Sequence, residues 1–433
     1  MQKSGSLRGA EGVRVLLYGI AAFFLTRSHH LNWLDDILQE RCALPLAPFR
    51  VLLMLLSLAG AGIYAVRWVR RRVKRLNPML LCLAALMGYL QLITLLYGGY
   101  NAYTLDFAAA LALSLLLDMG LQCEKKSALR GVAGALELWV YMNLAALLLW
   151  PKGAVWIFSA KDFRPQWLLG SHIFYYRTLL PALGLCIVRD QVLHSRWTAR
   201  TYLMLMVCTA TVALQGGGTA MLGYMLFAGM LLWCNRRALP RWMSPLPALA
   251  ASAALLIGML CFHVQQYFAF LIEGILHKSL TLTNRIYIWP SVLEVIKNYP
   301  VTGIGYTPLA YTRSFLNNGD HSHNQVLELL MRGGVIALGL YIGMVYLAWR
   351  EALAYRRSAA VKTAALLLSA FILMGTAEIF QHEALYYPLF MLVFRGRELS
   401  AGAPRQPEIT VFERVKRDSR RIFIRETDTN EKD

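Results

Sequence analysis

A chain of 433 residues with 57% hydrophobic residues, a mean hydropathy of +0.45 and only 16% charged residues lies far from soluble composition, where roughly a quarter of residues are charged. This excludes an ordinary soluble enzyme and points to an all-α integral membrane protein that crosses the bilayer many times. The formal net charge of +19 would elsewhere raise a nucleic-acid partner, but the distribution of the cations gives them a different task.

A crossing needs about 20 apolar residues. About twelve apolar runs follow one another, at 13–25, 48–65, 79–97, 103–121, 131–150, 173–188, 201–214, 219–233, 248–262, 324–347, 359–375 and 384–394. The first run has no small-residue cleavage site and further spans follow it, so it reads as a span rather than a cleavable signal. The expected organisation is nine spans over 1–263, a long extracytoplasmic loop with amphipathic helices over 264–322, three more spans over 323–395, and a basic cytoplasmic tail over 396–433.

Lys and Arg accumulate in cytoplasmic loops. With the N-terminus inside, the inner loops hold Arg67, Arg70, Arg71, Arg72, Lys74 and Arg75, then Lys125, Lys126 and Arg130, then Arg189, Arg196 and Arg200. Arg236, Arg237 and Arg241 follow, then Arg350, Arg356 and Arg357, and the tail from Arg395. Every second loop is basic, which gives an even number of spans with both termini cytoplasmic and makes anionic membrane lipid, with no nucleic acid, the partner of the positive charge. The seven cysteines form no CxxC pair and lie mostly within or beside spans, so they read as small packing residues rather than metal ligands.

The outer face is left with one long loop, about 264–322, and a shorter one at 151–172. In IYIWPSVLEVIKNYP, Ile288, Trp289, Val292, Leu293 and Ile296 recur at helical spacing, as in an amphipathic helix lying on the membrane. The loop meets the tenth span at GDHSHNQVLELLMRGGVIALGLY, where Ser322 and Gln325 have capping-box spacing that would make His323 the first helical residue. At that position the helix dipole attracts anions and disfavours imidazolium, leaving a neutral base. Arg285, Arg313, Arg177 and Arg164 also fall on or near the outer face, where arginine is rare without a reason, and their forked donors suit phosphate. Asp106, Asp118 and Glu137 lie toward span ends, unlike the mid-membrane charges of an ion-coupled transporter.

The segment TNRIYIWPSVLEVIKNYPVTGIGYTP, followed by HSHNQVLELLMRGGVIALG, resembles the signature of the O-antigen ligase and polymerase superfamily, bacterial membrane enzymes that transfer lipid-linked glycans. The shared pattern is Arg285 four residues before Trp289, then Pro300, Gly303 and Gly305, then His323-Asn324, nine residues and Gly334. Ala337 replaces a glycine of the pattern, and QGGGTAML (215–222) lacks the arginine that many relatives carry there. Arg177, in LLGSHIFYYRTLLPALGL, matches an arginine of the family more loosely.

The resemblance implies metal-independent glycosyl transfer, without a cofactor, on the outer face of the bacterial inner membrane. The donor would be an undecaprenyl-diphosphate-linked glycan and the acceptor a hydroxyl of a glycolipid, glycan or protein. By the same resemblance, His323 would be the base, or a hydrogen-bond donor to the diphosphate. Arg285 and Arg177 would stabilise charge on the leaving diphosphate, with Arg313 and Arg164 as further diphosphate contacts, and His321 or Asn324 would orient His323 or a sugar. The competing reading is a lipid-linked glycan flippase or other transporter, which would show polar side chains through the full membrane depth rather than in one outward cavity.

Overall fold

The structure, a computed structural model, describes residues 2–26, scattered positions between 55 and 70, and residues 77–97, 99, 103–158, 163–262, 267 and 285–400. The expected second span, the first part of the long loop (264–284 apart from 267) and the tail beyond residue 400 lie largely or wholly outside the described residues, as do Cys42 and most of the basic run 67–75.

The helices are α1 (Gln2–Leu25), α2 (Pro78–Leu96), α3 (Thr104–Cys123), α4 (Lys125–Leu149), α5 (Tyr176–His194), α6 (Ala199–Gln215), α7 (Gly218–Trp233), α8 (Pro245–Phe262), α9 (Arg285–Asn298), α10 (Leu309–Phe315), α11 (Gln325–Ala354), α12 (Ala359–Met374), α13 (Tyr386–Phe394) and α14 (Gly396–Leu399). Every apolar run except 48–65 falls on one of them. Among the described residues, α2, α3, α4, α8 and α11 are long and apolar enough to cross a membrane, and α7 and α12 are shorter apolar helices. The chain is a multi-pass membrane protein. The all-α expectation needs one addition: in the 151–172 loop, β1 (Val155–Phe158) pairs antiparallel with β2 (Phe163–Gln166), Val155 opposite Gln166.

α5 is the axis of the bundle. Its side chains from Tyr176 to Asp190 are buried on every face, between α4, α6 and α12, as expected of a helix surrounded by others. The peripheral helices each keep an apolar stripe outward, with Leu92, Leu95 and Leu96 on α2, Leu203 and Met206 on α6, and Leu255 and Ile257 on α8 exposed. In water such surfaces would drive aggregation; against lipid they are the solvent-facing side.

Lipid is as apolar as leucine, so helix contacts inside a bilayer gain little from hydrophobic burial, and close packing with polar ties holds the bundle. Two buried ion clusters provide such ties. Arg395 grips Asp118 through Nε and Nη2 at 2.6 and 2.9 Å, while Asn77 donates to the same carboxylate at 2.7 Å, joining α2, α3 and α13. Arg189 reaches Glu137 at 2.9 Å and Asp190 at 2.5 Å, and Arg200 also donates to Glu137, joining α4, α5 and α6. Arg177 and Arg189 stand twelve positions apart on α5, about 18 Å at the helical rise, so the Arg189 tie and Arg177 lie toward opposite ends of α5.

The shared pattern of prolines and glycines marks a backbone crossing. α11 breaks at Gly334 (φ 59°, ψ −160°), a conformation closed to residues with a side chain, and a Cβ there would come 2.1 Å from the Val301 carbonyl oxygen. The loop after α9 hydrogen-bonds into the break. Ile304 and Gly305 donate to the carbonyls of Met331 and Arg332 at 3.0 and 2.9 Å, and Val335 donates to the Pro300 carbonyl at 2.9 Å. Gly303 passes so close that a Cβ would meet the Arg332 carbonyl carbon at 2.5 Å. This crossing fixes the first turns of α11, and with them the segment that carries the histidines.

Candidate functional site

The histidine segment is clamped at Ser322. Its carbonyl accepts from Trp289 Nε1 at 3.0 Å, and its N–H donates to Glu328 Oε2 at 2.7 Å. Trp289 can reach it because the apolar stripe of α9, with Ile288 and Val292, packs on Leu316, Leu327 and Met331. The helix therefore rests on the protein through that stripe, and Leu293 points outward instead.

The capping arrangement differs from the expected one. Asn324, not Ser322, caps α11: its backbone is extended (φ −146°, ψ 127°) and Oδ1 accepts from the N–H groups of Val326 and Leu327, both at 3.0 Å. Gln325 is the first helical residue, and its Oε1 is taken by the Phe380 N–H at 2.6 Å. With Asn324 Nδ2 on the Thr376 carbonyl at 3.0 Å, Asn324 binds α11 to the α12–α13 loop, and its amide is engaged in positioning rather than turned to a sugar. His323 sits one residue before the cap with φ at +55°, a left-handed conformation that costs a non-glycine residue roughly 1–2 kcal/mol. Such strain is maintained by surrounding structure and concentrates at functional sites.

The α12–α13 loop brings in two carboxylates that the sequence reading missed. Arg177, at the start of α5, donates Nη1 to Glu383 Oε1 at 2.5 Å and Nη2 to Glu378 Oε2 at 3.2 Å. Arg285, at the start of α9, donates Nη2 to the other oxygen of Glu378 at 3.4 Å. Residues more than one hundred positions apart thus meet through one carboxylate. Arg177 is further enclosed by Phe174, its guanidinium 4.8 Å from the ring centre. Its position is set by the turn after the hairpin, where Leu169 N–H donates to Asn143 Oδ1 at 2.8 Å and Gln215 Nε2 donates to the Gly170 carbonyl at 2.6 Å. Gln215 opens the QGGGTAML segment, so the stretch without the family's arginine holds the Arg177 turn instead.

The two guanidiniums are unequal. Arg177 is held by two carboxylates, whereas among the described residues Arg285 has one long contact and a buried Nε without a hydrogen-bond partner. Burial pushes Arg285 down from the ordinary guanidinium value, opposed by Glu378. A buried cation with so few partners has donor capacity that an anion could take.

His321 and His323 lie with ring centres 3.9 Å apart, within electrostatic reach of both arginines. Both are held well below the ordinary imidazole value. For His321 the causes are burial, then His382, Arg177 and Arg285; for His323 they are burial, then His321 and Arg285, with Glu328 opposing. The expected neutrality therefore holds, with burial rather than the helix terminus as its main cause. His321 Nδ1 accepts the His323 backbone N–H at 3.2 Å, so the neutral His321 ring carries its proton on Nε2. This bond fixes the His321 ring. The Nδ1 of His323 has no hydrogen-bond partner among the described residues.

The other expected site residues lie farther out. Arg313 is exposed and engaged by Asp320 through Nε at 2.6 Å and Nη2 at 3.3 Å, which holds it above its ordinary value. Arg164 is half-buried on β2, opposite Ile157 in the register. Among the described residues no three histidine, cysteine or acidic side chains group as ligands for a metal ion.

Beside His321 opens a cavity of about 300 Å³, whose wall includes Tyr103, Tyr306, Glu328, Arg332 and His382. The sequence did carry a signal for the acidic side of the site: TAEIFQHEALYY places Glu378, His382 and Glu383 in a short outer loop between two apolar runs.

No curated protein matches the chain. Residues 202–342, from α6 into α11, match the family model described as O-Antigen ligase; the match includes Arg285, His321, His323 and Asn324, while Arg177 and the α12–α13 loop lie outside it. With the arginine, histidine and glycine pattern placed within that segment, the match supports the resemblance to the O-antigen ligase and polymerase superfamily.

Proposed function

We propose that the protein transfers a glycan from an undecaprenyl-diphosphate carrier to an acceptor hydroxyl on the outer face of the bacterial inner membrane. The observation that carries this reading is the convergence of Arg177 and Arg285 on Glu378, beside a histidine that is neutral and has an unpartnered ring nitrogen. The diphosphate binds the two guanidiniums. His323 takes the proton of the acceptor hydroxyl as its oxygen bonds to the anomeric carbon from the opposite side. The bond between that carbon and the diphosphate oxygen breaks, its electron pair leaving with the diphosphate, so the anomeric centre inverts. The departing group gains a negative charge, and fixed guanidiniums aimed at developing charge stabilise it most where water is excluded. The acceptor is a glycolipid, a glycan or a protein. In this reading both termini are cytoplasmic, and the Arg189–Glu137 tie lies toward the inner side.

The test is transfer by the purified protein in lipid nanodiscs, from a defined undecaprenyl-diphosphate glycan to its acceptor, with product mass as the readout. Glycosylated acceptor and released polyprenyl diphosphate in equal amounts are expected. Translocation of the lipid-linked glycan across proteoliposomes with no transfer would overturn the reading in favour of a flippase.

A further inference from the structure

We propose that the cavity beside His321 is the subsite for one uncharged pyranose ring of the acceptor. This rests on the glycosyl-transfer reading above and names the substrate part that the arginines do not recognise.

Three observations carry it. The first is charge. Asp320 is engaged by Arg313, and Glu328 by Arg332 Nε at 2.9 Å, so each charged side chain on the cavity wall already has a counterion. Arg285, by contrast, has a single long contact among the described residues. A charged ligand therefore belongs at Arg285, the under-partnered cation, and a neutral one in the cavity.

The second is a set of polar groups at the wall whose hydrogen-bonding capacity no described residue uses. Tyr306 is 4% exposed, yet its hydroxyl has no hydrogen-bond partner, although its N–H is held by Thr94 Oγ1 at 2.9 Å. Buried hydroxyls are rarely left unsatisfied. Arg332 uses Nε on Glu328 and Nη1 on the Gly305 carbonyl and Thr307 Oγ1, both at 3.1 Å, and its Nη2 has no hydrogen-bond partner among the described residues. His321, fixed as the Nε2–H tautomer, adds a third donor at the same wall.

The third is shape. Tyr103 stacks on His382 at 4.6 Å and meets Tyr306 at 4.8 Å, making an aromatic corner suited to the C–H face of a sugar. A cavity of about 300 Å³ is at the small end of ligand sites, enough for a single ring and too small for a glycan chain. His321 lines it and touches His323, so a ring seated there presents a hydroxyl toward the proposed base.

The experiment uses the full chain in nanodiscs. Tyr306→Phe removes only the unpartnered hydroxyl. It is expected to raise the acceptor KM about three- to ten-fold, the range of one neutral hydrogen bond, with donor KM unmoved and thermal stability unchanged or higher. Tyr311→Phe, at an exposed tyrosine outside the cavity, leaves every parameter unchanged. In parallel, the methyl glycosides of glucose, galactose and N-acetylglucosamine are used as probes in saturation-transfer NMR on the Arg285→Lys protein. At least one ring receives saturation, and the added Tyr306→Phe change weakens that signal. Because this readout needs no transfer, it separates failure of the subsite from failure of the glycosyl-transfer reading. An unmoved acceptor KM, a shift in donor KM alone, or no saturation of any glycoside would each overturn the proposal.

Discussion

Glu378 stands between Arg177 and Arg285, one carboxylate oxygen 3.2 Å from the first guanidinium and the other 3.4 Å from the second. Both contacts are long beside the 2.5 Å bond from Arg177 to Glu383. Glu383 is thus the permanent counterion of Arg177, and Glu378 occupies the place that a bridging diphosphate would take. A dianionic diphosphate entering there meets two arginines and two carboxylates, so Glu378 has to turn aside or take up a proton for it to bind.

The two carboxylates should separate by substitution. Glu383→Gln leaves a buried guanidinium short of its main counterion, a change that typically costs about 3–5 kcal/mol, and should lower the melting temperature in detergent clearly. Glu378→Gln should leave stability nearly intact and tighten donor binding several-fold. Weaker donor binding in Glu378→Gln would show that the carboxylate positions the arginines rather than competing with the ligand.

Arg285→Lys keeps the charge but not the fork, and a lysine cannot grip a diphosphate at two points. Transfer should fall by about two orders of magnitude, the usual effect of removing one aimed donor, with membrane insertion unchanged. Full activity of the lysine protein at matched expression would remove Arg285 from the site.

His323→Ala should reduce transfer by about two to four orders of magnitude while donor binding persists, and His321→Ala should be milder because its Nδ1 is already occupied by the His323 N–H. The pH profile carries a sign. A base works when neutral, and burial holds His323 well below 6.5, so kcat should stay flat from pH 8 to 6.5 and fall only at lower pH. An acid limb centred above 6.5 would contradict the assignment, and lost donor binding in His323→Ala would favour a diphosphate contact instead.

Gly334→Ala should destabilise the protein by about 1–3 kcal/mol, read as a lowered melting temperature, since its backbone conformation is reserved for glycine and the added Cβ meets the Val301 carbonyl. Gly339→Ala, in the same helix with open space around it, is the control and should be neutral or slightly stabilising. Equal melting temperatures would mean that the break in α11 is not fixed by this glycine.

The sequence by itself determined the class of molecule, the places of the apolar runs and the side chains of the catalytic proposal. Hydrophobic runs are local and the cation pattern is periodic, so both can be read along the chain. The basic loop residues were visible as a loop bias and Asp118 and Glu137 as acids within spans, although the pairing of Arg395 with Asp118 and of Arg189 with Glu137 was not. The spacing of Pro300, Gly303, Gly305 and Gly334 was also legible as a motif, but its meaning as a loop hydrogen-bonded into a broken helix required the fold.

Tertiary structure decided the pairing. Nothing along the chain links Arg177 to Glu383, which are 206 positions apart, or Arg285 to Glu378, at 93 positions. Which carboxylate meets which arginine depends on how α5, α9 and the α12–α13 loop converge, and side-chain contacts of this kind leave no local periodicity. The cap of α11 shows the same limit on a smaller scale. Ser322 and Asn324 both have capping side chains, and local spacing favoured the serine. The choice fell to Asn324 because Trp289 and Glu328 hold Ser322 through its backbone while Thr376 and Phe380, from a distant loop, fix Asn324 and Gln325.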